Sequence, residues 1–203
     1  MKAKFITVEG LEGSGKSSVI GFIQKLLKKE GFSVGVFREP GSTSVGEKIR
    51  RILLDNKNKK LSAHTELLLY LAARTQLIEE KLIGAFSQYD FVICDRFFDS
   101  TLIYQGFALG LGKIVESSVK MFSLGIMPDF TIYLDVVPKE GLARIKKKDR
   151  IEERSLSFHE KLRKGYLELA RKNPARIKVV NAQKPLNQIF GKIESLLRRK
   201  LKV

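Results

Sequence analysis

The chain is short of several things, and each shortage closes a class of function. It has one cysteine, Cys94, in 203 residues. An internal disulfide and a cysteine zinc cluster are therefore excluded, and a lone thiol fits a reducing compartment, the cytoplasm. No apolar run approaches the ~20 residues that a membrane span requires. The start, Met1-Lys2-Ala3-Lys4-Phe5-Ile6-Thr7-Val8, turns polar too quickly for a signal peptide. Internal repeats and low-complexity linkers are also missing. The length predicts a single domain over 1–203 with room for a mobile insert, and a hydrophobic fraction of 43% supplies a sizeable core rather than a disordered tail.

Positive charge is present in excess. Lysine and arginine number 38 against 22 acidic residues, a net charge of +16. Such a balance suits nucleic acid, an anionic small substrate, or a lysine-rich surface of the kind some thermophiles carry. It is spread over helix faces and the C-terminal Arg198-Arg199-Lys200, so nucleic-acid binding as the main function is not the expectation.

Five short β-like runs occur at Phe5–Glu9, Ser33–Arg38, Phe91–Asp95, Phe130–Asp135 and Ile177–Asn181. Most are almost continuously apolar, as strands buried on both faces of a parallel sheet must be. Helical stripes lie between them. Val19, Ile20, Ile23, Leu26 and Leu27 form one, with Gly31 as its stop. Leu67 through Phe86 forms a longer one, Ile114 to Phe122 a third, and Leu186 to Leu197 the last. The alternation predicts an α/β fold, a doubly wound five-stranded parallel sheet flanked by helices. One stretch breaks the pattern. Lys146 to Arg154 is nearly all charged and lies between two helices. It is either a solvated face or a short mobile lid, at about 144–156, that carries cations to phosphate groups.

The segment Gly10-Leu11-Glu12-Gly13-Ser14-Gly15-Lys16-Ser17 matches G-x-x-x-x-G-K-[ST], following an apolar strand and opening an amphipathic helix. Glycines let successive N–H groups point at phosphate oxygens, and the helix start adds its positive dipole end. Lys16 is expected at the β- and γ-phosphates and the Ser17 hydroxyl on Mg²⁺, with Ser18 completing the ATP cradle. Asp95 closes a second strand and suits the metal or its water, with Asp135 as the other candidate. Arg96 follows Asp95 at an edge that faces the ligand crevice in such sheets, and suits an anionic substrate. No N-K-x-D base-recognition signature marks a switch GTPase, and no second domain marks a helicase or a motor. One nucleotide loop in a small, arginine-rich chain favours phosphoryl transfer between two small nucleotides.

At this point the chain resembles the bacterial type of thymidylate kinase. The matching segments, in family order, are Glu9 to Ser17, Arg38 to Thr43, Leu67 to Arg74, Asp95 to Thr101, Tyr104 to Gly106, Pro128 to Val136 and Asp149 to Glu152. The resemblance implies that ATP and dTMP give ADP and dTDP with Mg²⁺, and that the enzyme is a homodimer. It implies that Tyr70 stacks on thymine, Arg74 bonds the base, Arg96 grips the dTMP phosphate and Arg38 adds a further phosphate contact. Thr101 lies near the base, Tyr104 and Gln105 line the deoxyribose, and Glu12 lies near its 3′-hydroxyl. Some members carry an arginine after the acidic residue of the loop, where this chain has Gly13. The catalytic arginine is then expected from the lid, as Arg150 or Arg154, with Arg144 behind them. This chain departs from the family at Tyr70, where phenylalanine is common, and at Ser42, where a second glycine is common. Another nucleoside monophosphate kinase, or a P-loop ATPase stimulated by nucleic acid, is the alternative.

Overall fold

The structure is a computed structural model that describes residues 3–201, with side chains to Arg199, so Met1, Lys2, Lys202 and Val203 lie outside the described residues. Five strands, β1 (Lys4–Gly10), β2 (Val34–Arg38), β3 (Phe91–Asp95), β4 (Phe130–Asp135) and β5 (Ile177–Asn181), pair in the order β2-β3-β1-β4-β5. Every pairing is parallel. The expected strands are all present, within one residue at each end.

Alternation along β1 explains why both sheet faces are covered. Phe5 packs into a cluster with Leu67, Leu71, Val115 and Val119, while Ile6 and Val8 pack with Val19, Ile23, Ile189 and Ile193. Successive side chains on a strand point to opposite faces, so helices are needed on each. One face carries α1 (Lys16–Lys29), α8 (Leu156–Lys172) and α9 (Leu186–Leu201). The other carries α3 (Ala63–Leu77), α4 (Ile83–Gln88) and α6 (Lys113–Phe122). α1 ends as expected: Gly31 takes φ +88°, and the amide of Phe32 donates to the Leu27 carbonyl, a left-handed C-terminal cap.

The long stripe Leu67–Phe86 is not one α-helix. Residues Ile78–Leu82 form a π-helical turn between α3 and α4. A second π-helical segment, Leu102–Ala108, follows the short α5 (Phe98–Thr101) and carries Tyr104 and Gln105. Single π turns often accompany functional sites, because the extra residue re-aims side chains. α2 (Ser44–Leu54) and α7 (Pro138–Ala143) complete the fold.

Candidate active site

The phosphate loop runs from the end of β1 to the start of α1. Gly13 (φ +70°) and Gly15 (φ +88°) use backbone regions that side chains avoid. Space matters as much at Gly13: a Cβ there would lie 2.0 Å from the Gly141 carbonyl oxygen of α7. The loop and α7, which leads into the charged run, are therefore in direct backbone contact. Lys16 Nζ donates to the carbonyls of Gly10 (3.1 Å) and Leu11 (3.0 Å), folding back over the loop. Burial, aided by Arg96 and opposed by Asp95, Glu12 and Glu9, pushes this ammonium down to about 8. Two further polar atoms, Ser14 Oγ and Asp95 Oδ1, are buried with no hydrogen-bond partner.

A cavity of about 330 Å³ opens beside the loop. Its wall includes Glu12, Gly13, Lys16, Ser17, Arg38, Tyr70, Asp95, Arg96, Thr101, Tyr104 and Gln105, residues expected from sequence to bind nucleotide. The parallel sheet brings these segments together, because the carboxyl ends of β1, β2 and β3 lie side by side: Val8 pairs with Asp95, and Asp95 with Arg38.

Arg96 is the pivot of the wall. It holds φ +67°, an uncommon conformation for a side-chain-bearing residue. Its guanidinium donates to Glu12 Oε1 (3.1 Å) and Ser100 Oγ (3.1 Å) and lies 5.2 Å from the Tyr104 ring centre. Burial alone would lower its pKa, but the oxygens of Tyr104, Glu12, Tyr166 and Glu9 outweigh that and hold it well above the usual arginine value. Glu12 is the mirror case. Burial would raise it, but His159, Arg96, Lys16 and Tyr104 bring it down to about 2. Tyr104 donates to Glu12 Oε1 at 2.5 Å, and His159 Nδ1 stands 3.3 Å from Oε2. Beneath them Glu9 accepts from the Phe97 amide, Ser100 and Tyr166, and burial, reinforced by Asp99, raises it to about 7.

Arg74 is fully buried and pairs with Glu39 while donating to Thr101 Oγ1 at 2.6 Å. It stands behind Thr101 rather than on the cavity wall, and its Nη1 is buried without a partner. Tyr70 does line the cavity, and burial, with Glu66 next in effect, raises its phenol well above the usual range, so the ring is neutral. Arg38 is engaged by Glu47 at 2.8 and 2.9 Å. The serine that replaces a common glycine, Ser42, takes φ +65° and is held by its hydroxyl accepting from the Arg38 amide and its own amide donating to Glu47. The left-handed backbone explains why glycine is usual there.

The charged run is only partly a solvated face. Lys146, Lys147 and Lys148 are exposed, but Arg150 and Ile151 are buried. Asp149 and Glu152 cap one another: Asp149 Oδ1 accepts from the amides of Ile151 and Glu152, and Glu152 Oε2 accepts from the Asp149 amide. Neither expected lid arginine bonds the phosphate loop. Arg150 donates to the Leu53 carbonyl and to Glu66 Oε2, each at 2.6 Å, and Arg154 donates to that same oxygen at 2.6 Å. Arg144, expected behind them, is the one of the three that touches the loop, donating to the Gly13 carbonyl at 3.0 Å.

Residues that sequence reasoning missed complete the site. Arg50 lines the cavity beside Arg38, with its own pKa lowered by burial and by Arg38. Its place on a helix with buried Ile49 and Leu53 was the available signal. Glu66 and His159 gave none, since their partners are 84 and 147 residues away.

The thymidylate kinase family model matches residues 8–193. A thymidylate kinase of Thermoanaerobacter sp. (strain X514) is 43% identical over 204 aligned residues, covering 99% of this chain and 100% of that one. A thymidylate kinase of Clostridium novyi (strain NT) is 41% identical, covering 97% and 99%. Among solved structures, the thymidylate kinase of Ehrlichia chaffeensis superposes with a TM-score of 0.79 at 28% identity, covering 98% of this chain and 99% of that one. With the phosphate loop, the nucleotide-sized cavity and these relatives in agreement, the chain belongs to the thymidylate kinase family, phosphotransferases that act on dTMP.

Proposed function

We propose that the cavity wall divides the family's reaction, γ-phosphoryl transfer from ATP to dTMP, among the following residues. One observation carries this division: a single cavity joins the phosphate loop, through Glu12, Lys16 and Ser17, to the groups that suit the acceptor, Tyr70, Arg96, Thr101, Tyr104 and Gln105. Donor and acceptor can then meet in line without either leaving its subsite. Transfer of this kind rests on positioning and charge neutralisation.

Gly10 to Ser18 cradle the ATP phosphates, and Lys16 turns from the Gly10 and Leu11 carbonyls to the β- and γ-oxygens. Arg96, with Arg38 and Arg50 on the same wall, fixes the dTMP phosphate. Tyr70 stacks on the base, Arg74 holds Thr101 from behind the wall so that the threonine faces the base, and Glu12 receives the 3′-hydroxyl. Asp95 and Ser17 fit Mg²⁺: Asp95 Oδ1 is buried without a partner beside the loop. Among the described residues no group of three His, Cys, Asp or Glu side chains could hold an ion alone, which suits an ion completed by phosphate oxygens. Bound there, it would neutralise charge on the β- and γ-phosphates.

The lid spans about 144–156 of a single domain. Arg154 has a buried, unbonded Nη1 and is the lid cation we assign to the transferring phosphoryl, which it reaches by leaving Glu66. The sequence expectation paired Arg150 with it in catalysis. We assign Arg150 to seating the lid, because it is buried and bonds the Leu53 carbonyl as well as Glu66. A homodimer fits the exposed apolar side chains of Leu68, Ile114 and Met121 on α3 and α6. Among the described residues no helix is long and apolar enough to cross a membrane, and the buried single thiol of Cys94 suits the cytoplasm.

Arg96→Met tests the division. Loss of a charge-assisted contact costs ~1.5–3 kcal/mol, so KM for dTMP should rise ~10- to 100-fold while KM for ATP stays within a few-fold. Equal effects on both substrates would contradict it.

A further inference from the structure

Glu66 is a carboxylate engaged on both oxygens by three side chains. It is fully buried on α3. Its Oε2 accepts from Arg150 and from Arg154, and its Oε1 accepts from Gln105 Nε2 at 2.8 Å. Guanidiniums only donate, so both Glu66 oxygens serve as acceptors here, Oε2 toward Arg150 and Arg154 and Oε1 toward Gln105. The Gln105 amide therefore has no choice of orientation. Its NH₂ must face Glu66, and its carbonyl oxygen, which bonds no other described group, is left for the occupant of the cavity that Gln105 lines.

Position says which part of the occupant this is. Glu66, Tyr70 and Arg74 are spaced four apart on α3 and share one face. The amide held by Glu66 thus lies at the flank of the Tyr70 ring, beside the edge of a base stacked there, and we place Gln105 at the base instead of the deoxyribose that the resemblance implied. Thymine and uracil present an N3–H donor on that edge. Cytosine presents N3 as an acceptor, which would face the Gln105 carbonyl unpaired.

We propose that Glu66 is a positioning residue for substrate specificity: it locks the polarity of the Gln105 amide so that the pocket accepts a pyrimidine carrying N3–H. This rests on the reading that dTMP occupies the cavity with its base on Tyr70. The lock has a chemical consequence. In Glu66→Gln the lid arginines, being donors, claim the new amide's carbonyl, and its NH₂ turns to Gln105. Gln105 must then reverse, presenting its own NH₂ to the cavity, where it matches cytosine.

The test is kcat/KM for dTMP and for dCMP, measured by ADP release with ATP. The wild-type chain should favour dTMP. Glu66→Gln should lower the dTMP:dCMP ratio at least ~10-fold. Glu66→Asp keeps an acceptor-only group and should retain the preference even with a reduced rate. Arg150→Ala should slow both substrates together and leave the ratio alone, which separates specificity from lid seating. The charge swap Glu66→Gln with Gln105→Glu places an acceptor back on the cavity wall and should restore the preference. If Glu66→Gln does not fold, judged by far-UV circular dichroism, the swap decides: retained preference supports the lock and lost preference overturns it. A ratio within twofold of wild type in folded Glu66→Gln overturns the proposal. A wild-type chain that turns over dTMP and dCMP equally overturns the reading beneath it instead.

Discussion

Glu12→Gln removes the carboxylate on which Arg96, Tyr104 and His159 converge, and the structure sets both the size of the effect and its pH dependence. Its pKa falls from 4.5 to about 2 in the folded chain. A depressed carboxylate stabilises the fold above its unfolded pKa and loses that contribution as pH falls through the folded value. The displacement corresponds to about 3 kcal/mol at neutral pH, or a loss of ~6–12 °C in Tm for a chain of this size. The chain has no tryptophan, so urea unfolding is best followed by far-UV circular dichroism. The stability gap between wild type and Glu12→Gln should be constant from pH 8 to about 5 and shrink below 4.5. Glu9 complicates each protein alone: its pKa is raised to about 7, so its contribution is present below 4.5 and is lost as pH rises through 7. It is present in both proteins and cancels in the difference. A gap that stays constant to pH 3, or widens on acidification, would refute the assignment of Glu12 as a charge held by its cationic neighbours.

Lys16 gives a second pH signature with the opposite sense. Its ammonium deprotonates at about 8 in the free chain, so ATP affinity measured by calorimetry should be flat below pH 8 and weaken above it. At the phosphate loop, Gly13→Ala would put a Cβ 2.0 Å from the Gly141 carbonyl, at φ +70°. Stability should drop by more than ~1 kcal/mol and ATP binding should weaken, read by denaturation and by KM. Arg154→Ala should cut kcat on the order of 10³-fold, as for other transition-state arginines, with KM for dTMP within a few-fold. Near-full turnover would remove the lid arginine from the mechanism. Chelating Mg²⁺ with EDTA should abolish transfer yet leave the Tm of the ligand-free chain unchanged, because no described cluster of protein ligands holds an ion alone.

Features dictated locally were legible in the sequence, and those dictated by long-range pairing were not. The strands could be read because burial on both faces demands continuous apolar runs, and the phosphate loop because fixed glycine spacing makes a fixed backbone. The run from Lys146 to Arg154 was legible as an oddity of charge. Its inner order was hidden, since Arg150 and Arg154 find Glu66 across 84 and 88 residues. The helix stripe over Leu67–Phe86 predicted a helix but not the π turn at Ile78–Leu82, because one extra residue per turn barely disturbs an apolar stripe. Arg74 was expected against the base, yet Glu39 and Thr101 hold it behind the wall, a pairing that no local pattern announces.

The division of roles meets its plainest test in ADP release with ATP and Mg²⁺ across dTMP, dUMP, UMP, CMP, AMP and GMP. Rapid turnover of dTMP, with the ribonucleotides and purines far behind, is the expected result. No turnover of dTMP, or a better rate with a purine nucleotide, would contradict the assignment of the cavity beside Gly10–Ser17 to a thymidylate acceptor.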